Sequence, residues 1–88
     1  MRSRAPVISL RLVASKTLAE VCHHYDVHPD DVTGDDRTPT IAFARFHWYF
    51  ALKDHGLSYP EIARLVQRDH STVMHGVRKF AHAAGVVT

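Results

Sequence analysis

A single cysteine, Cys22, rules out an internal disulfide and, with it, the cross-linked frameworks of small secreted domains. We expect it to serve as a small buried hydrophobe. No apolar run comes near the roughly 20 residues that a membrane-spanning helix needs. Arg2 and Arg4 open the chain, yet Arg11 and Lys16 interrupt what would otherwise be a leader core, so no targeting segment or membrane partner is expected. The expected location is cytoplasmic. There is no G-x-x-x-x-G-K-[ST] phosphate loop, which excludes a nucleotide motor of that class. Nor does any segment sustain period-two alternation, so no sheet is expected. With 88 residues the chain makes one small domain whose core is modest, too little for a multi-step enzyme.

Charge of one sign is missing from a whole region. Residues 17–36 contain Glu20, Asp26, Asp30, Asp31, Asp35 and Asp36 but no Lys or Arg. Residues 37–88 carry seven basic side chains against three acidic ones, so the formal net charge of +2 conceals an acidic part and a basic remainder. Such asymmetry fits a surface that faces a polyanion, and equally fits a solvated mixture of charges.

Helical periodicity is what the chain does have. Leu18, Val21, Cys22 and Tyr25 follow i, i+3, i+4, i+7, which places a helix over 17–25. Residues 1–16 are read as a basic terminal segment that can also hold the start of this helix. The domain proper is taken as 17–88. Pro29 interrupts, and HPDDVTGDDRTP is a connector around a single helical turn. Thr38 is placed to cap a second helix with Pro39 just inside it, and Gly56 to stop it. In SYPEIARLV, Ser58 and Glu61 make a capping box and Pro60 sits in the first turn, where no amide is missed. Ile62, Leu65 and Val66 form its buried face. Asp69 is placed to cap a last helix that buries Val73, Val77, Phe80, Ala81 and Ala84. The fold class is all-α.

If Val73, Val77 and Phe80 face the core, Ser71, His75, Arg78 and His82 lie on the other side, with His70, Thr72 and Lys79 at its edges. Helix, tight turn and polar helix form the helix-turn-helix plan. Short hydroxyls bond base edges or pack a thymine methyl, a carboxylate accepts from cytosine, and the helix dipole favours phosphate near the amino terminus. Double-stranded DNA, entered by the major groove, is the expected partner.

The stretch SYPEIARLVQRDHSTVMHGVRK resembles the carboxy-terminal DNA-binding domain of the bacterial replication initiator DnaA, domain IV, whose recognition helix opens with Arg-Asp-His-Thr-Thr-Val. The match is densest over residues 68–79 and extends weakly back to about residue 21. The resemblance implies a Trp-repressor-like arrangement in which Asp69, His70, Ser71 and Thr72 face base edges. Arg68, His75, Arg78 and Lys79 would lie within reach of phosphate or further bases, and Tyr59 and Pro60 against the DNA backbone. Arg37 aligns with a minor-groove arginine and Arg45 with an arginine that follows it. This chain departs from the pattern in placing Asp35 and Asp36 beside Arg37, in a turn one residue shorter at Gln67, and in Ser71 for the usual threonine. By analogy it would be a bacterial or phage-encoded, nucleoid-associated regulator that occupies boxes without opening an origin.

Other features compete for a role. His24 and His28 are spaced i, i+4 with Cys22 nearby, but Pro29 ends the helix and no second ligand pair follows, so neither a metal nor any other cofactor is expected. Asp69 and His70 are adjacent on a helix and point apart, which excludes a catalytic base and its orienter. No catalytic residue is expected. In the second helix Ile41, Ala44, Trp48 and Leu52 make one apolar stripe, and Phe43, Phe46 and Phe50 a second. Burial on two sides accounts for both, and the alternative is a protein or homodimer docking face over residues 40–55 with little DNA affinity. Arg2, Arg4, Arg11 and Lys16 are either a solubilising start or an arm on phosphate.

Overall fold

The most hydrophobic segment of the sequence becomes the central helix, and the remaining elements are arranged around it. The computed structural model describes residues 7–85, which form five helices: α1 (Val7–Tyr25), α2 (Pro29–Thr33), α3 (Pro39–Asp54), α4 (Tyr59–Val66) and α5 (His70–Ala83). No strand occurs among the described residues. α3 packs against all four of the others, most extensively against α5 and α1. That is the physical reason for its two apolar stripes. Ala44, Trp48, Tyr49 and Leu52 are buried along one, and Phe43, Phe46 and Phe50 are half-buried along the other.

α1 begins ten residues before the periodic stretch that marks it in the sequence, and Leu10 and Val13 pack against the core ahead of the buried Ala14. Its seam with α3 is closed by the Trp48 indole, whose Nε1 donates to the Ala14 carbonyl at 3.1 Å and to Thr17 Oγ1 at 3.2 Å. The Thr17 hydroxyl in turn donates to the Val13 carbonyl, so this buried hydroxyl is satisfied within the helix. Arg11 and Lys16 lie on the exposed side of α1, while Arg2 and Arg4 fall outside the described residues. Cys22 is buried as expected, and burial pushes its thiol above the ordinary range.

Three local expectations need correction. Thr38 and Asp69 do occupy the N-cap positions of α3 and α5, but neither side chain makes a capping hydrogen bond. The Thr38 amide is itself taken by Asp36 Oδ1 at 2.8 Å. Ala84, expected on the buried face of α5, is exposed, because the helix ends at Ala83 and Gly85 follows with φ of 78°. α2 was visible only as one turn in the connector. It is capped by a residue whose role was not foreseen: His28 Nδ1 accepts from the Asp30 amide at 3.0 Å.

Candidate nucleic-acid interface

α4 and α5 form the helix-turn-helix. α4 starts on a full capping box, with Ser58 Oγ accepting from the Glu61 amide at 3.2 Å and Glu61 Oε1 accepting from the Ser58 amide at 2.8 Å. Ahead of it, Gly56 adopts φ of 102°, a conformation open mainly to glycine, and so lets α3 end and Leu57 drop into the core. The turn between α4 and α5 depends on Gln67, which sits in the left-handed region at φ 56°, ψ 48° although it is not glycine. The Gln67 and Arg68 amides both point to the Ala63 carbonyl, which closes the end of α4.

α5 divides cleanly. Val73, Gly76, Val77, Phe80 and Ala81 are buried, whereas Ser71, Thr72, His75, Arg78 and Lys79 are exposed along one face. The helix contains no acidic residue. Gly76 is the one buried position that the apolar periodicity does not reveal. A Cβ there would stand 2.7 Å from Phe46 Cδ1 and 3.0 Å from Tyr49 Cδ2. α5 therefore rides close on α3 at this point, and its outer face is fixed in place by that contact.

Two arginines expected at DNA are engaged within the protein. Arg45 donates from Nε to the Val32 carbonyl at 2.7 Å, and from one Nη to the carbonyls of Asp31 at 3.0 Å and Asp36 at 2.9 Å. Arg68 donates to Asp35 Oδ1 at 2.7 Å, to the Gly34 carbonyl at 2.8 Å and more weakly to that of Thr33 at 3.4 Å. The carbonyls at the end of α2 and in the following loop, which have no helical partner, are satisfied in this way by two guanidinium groups. Arg68 holds the Asp35 carboxyl below its ordinary value, first through the hydrogen bond and then through charge. Asp36 is likewise lowered, by its hydrogen bonds with Thr38. Arg37 is exposed and makes no hydrogen bond with any described residue. Gly34, Asp35, Arg37, Arg45, Arg68 and Thr72 share the walls of one open cleft of about 300 Å³, so the loop and the start of α5 meet there.

The remaining candidates lie at the start of the two helices. Tyr59 is half-buried between Lys53, whose ammonium stands 4.9 Å from the ring centroid, and His70, whose ring lies nearly parallel to it at 6.5 Å. Pro60, Asp69 and His70 are exposed. Phe43 and Phe50 pack on Phe80, and Phe46 meets His75 edge-on. The aromatic stripe is thus largely covered by α5. Edges of Phe43 and Phe46 remain in a groove of about 310 Å³ that Pro39, Lys79 and His82 also line. Leu12 is the one exposed large hydrophobic residue among those described.

His24 stands edge-on to Tyr25 and His47. His47 stacks on Phe80 with centroids 4.2 Å apart, and its Nδ1 shares a 2.8 Å hydrogen bond with the Tyr25 hydroxyl. Among the described residues no three His, Cys, Asp or Glu side chains are grouped to hold a metal ion, and no helix is long and apolar enough to cross a membrane.

Comparison with known proteins agrees with this architecture. The family model described as the bacterial dnaA protein helix-turn-helix matches residues 15–80. The chain is 41% identical over 71 residues to the chromosomal replication initiator protein DnaA of Deinococcus radiodurans, which covers 77% of this chain and 15% of that protein. It is 44% identical over 63 residues to the protein of the same name from Cereibacter sphaeroides, covering 69% of this chain and 14% of the other. No solved structure matches it. The likeness spans α1 to α5, including the turn, and on that evidence the chain belongs to the bacterial DnaA helix-turn-helix family.

Proposed function

We propose that this chain binds double-stranded DNA sequence-specifically, with α5 in the major groove, and regulates replication or transcription by occupying DnaA-box-like sites. The observation that carries the reading is the outer face of α5. It is polar and basic, free of carboxylates, and held against α3 by the close approach at Gly76. A helix buried on one face and basic on the other has the shape and charge that the groove accepts. Ser71, Thr72 and His75 are the base readers, with Asp69 and His70 at the amino-terminal edge. Arg78 and Lys79 position the helix on phosphate, and Tyr59 and Pro60 bring the start of α4 to the DNA backbone. Arg37 projects from the loop toward the adjacent minor groove. Arg45 acts from behind, by holding the loop that carries Arg37. No step in this activity uses ATP, a metal or a catalytic residue.

Selection of sites from a random duplex library, followed by titration of the selected duplex against salt, tests the reading. Enrichment of a DnaA-box-like sequence with a steep salt slope is the expected result. Absence of both enrichment and salt dependence would overturn it.

A further inference from the structure

The Arg68 guanidinium uses its two terminal nitrogens differently. One is committed to the carbonyls of Thr33 and Gly34, and the other meets the Asp35 carboxylate, while the buried Tyr49 hydroxyl supports the guanidinium from the protein side. The two ends of that ion pair are also unequally placed. The Asp35 side chain is 87% exposed and that of Arg68 only 30%, so the acid is the part that a molecule arriving from solvent can displace. The pair sits in the cleft that also contains Thr72, at the start of the proposed reading helix, and Arg37, on the loop beside it. A DNA strand lying between those two elements would bring a phosphate to where the Asp35 carboxylate now stands.

We propose that Asp35 is an internal competitor for DNA phosphate: it occupies the outward nitrogen of Arg68, and the arginine joins the DNA interface only when a phosphate replaces the carboxylate. This rests on the DNA-binding reading above. Arg68 need not leave its place for the exchange, because its other nitrogen stays on the loop carbonyls while the outward one changes partner. An exposed ion pair is weak in water and further weakened by salt, so the bridge yields to a polyanion but lowers the affinity for it. Asp36 provides the internal control. It is adjacent, exposed and equally charged, but its carboxylate is bound to the Thr38 amide and not to Arg68.

The experiment compares the wild-type chain with Asp35→Asn, Asp36→Asn, Arg68→Gln and the double variant Asp35→Asn/Arg68→Gln. Fluorescence anisotropy is measured on the duplex selected by the wild type, over a range of salt, with thermal melts to show that each variant is folded. Removing the competitor should tighten binding about three- to tenfold at low salt, because the phosphate no longer has to displace a carboxylate, and the gain should shrink as salt rises and screens the competing pair. Asp36→Asn should gain less than about twofold, because it changes the local field without freeing an arginine. In the Arg68→Gln background the Asp35→Asn gain should fall below about twofold, since non-additivity marks residues that act on one another.

Equal gains from Asp35→Asn and Asp36→Asn would overturn the lock in favour of simple charge repulsion. So would an Asp35→Asn gain that persists without Arg68, or a loss of affinity in Asp35→Asn. The comparison of the two aspartates remains decisive if Arg68→Gln does not fold. If neither the wild type nor Asp35→Asn shows salt-dependent binding to any duplex, the DNA-binding reading itself fails and the lock with it.

Discussion

Residues 31–36 turn the carbonyls of Asp31, Val32, Thr33, Gly34 and Asp36 toward two guanidinium groups, whereas the outer face of α5 turns Arg78 and Lys79 toward solvent. Both regions are rich in charge, and the arginines of both match positions that the family resemblance implies at DNA. Their circumstances differ because the connector is a short helix followed by a loop, which leaves carbonyls without helical partners. α5 satisfies its own backbone along its length and leaves its basic side chains to the surface. Counting arginines therefore overstates the charge available to a ligand. What matters is how many backbone acceptors compete for each one.

The sharpest way to break this comparison is to remove one arginine from each region. Arg45→Ala should destabilise the fold by about 1–3 kcal/mol, because charge-assisted bonds to three carbonyls are lost and one part-buried acceptor, the Val32 carbonyl, is left behind. Arg78→Ala should change stability by less than about 0.5 kcal/mol, as an exposed substitution with no packing role does, yet weaken DNA binding. Chemical denaturation of both variants, beside DNA titration, separates the two roles. Equal stability losses would erase the distinction between an internal and an outward arginine.

The next effect concerns what holds α5 in place. Gly76→Ala should cost about 1–3 kcal/mol through overpacking against Phe46 and Tyr49, despite alanine's better helix propensity. A stabilised variant would mean that Phe46 moves aside readily and that the close approach does not fix the helix. On the face itself, Thr72→Ala should cost about 1–3 kcal/mol on the preferred site and relax preference at one base position. Lys79→Ala should instead weaken all sequences alike and reduce the salt slope by about 0.9. Competition binding with single-base variants of the site checks both. A uniform loss in Thr72→Ala would remove it from base reading.

The smallest expected effect is on pH dependence. Burial, and then the neighbouring His24, hold the His47 imidazole below its ordinary value of 6.5. The unfolded chain therefore takes up this proton first as pH falls, and stability should decline from about pH 6.5 downward, levelling once the folded protein is protonated as well. Asp35 and Asp36, with lowered values, lose their contribution only in the more acidic range of carboxylates, so the windows are separable. Melting temperatures between about pH 7.5 and 5.5 should fall less in His47→Gln than in the wild type. An unchanged slope would assign the effect elsewhere.

Local signals proved the most legible. The Ser58 and Glu61 capping box, the stop at Gly56 and the division of α5 into two faces depend on neighbours within a few residues, and all are present as the spacing predicts. The N-caps at Thr38 and Asp69 show the limit of that reasoning. Each residue type suits the position, but Asp36 engages the hydroxyl as well as the backbone amide of Thr38, and neither side chain turns to the cap. The contacts of Arg68 and Arg45 lie further out of reach. Arg68 meets partners 33 to 35 residues away, and no periodicity encodes which carbonyls a loop will present.

By itself the sequence determined the all-α class, the positions of the helix-turn-helix and its basic face, since these follow from spacing, capping and the order of polar and apolar residues. Tertiary structure alone decided that the second aromatic stripe would be largely covered by α5, that Gly76 would let α3 and α5 approach, and that an aspartate in the connector would hold the arginine opening the recognition motif. The reason is distance. Hydrogen bonds and close packing select partners by position in space, and only the folded chain brings residues from α2, α3 and α5 to the same point.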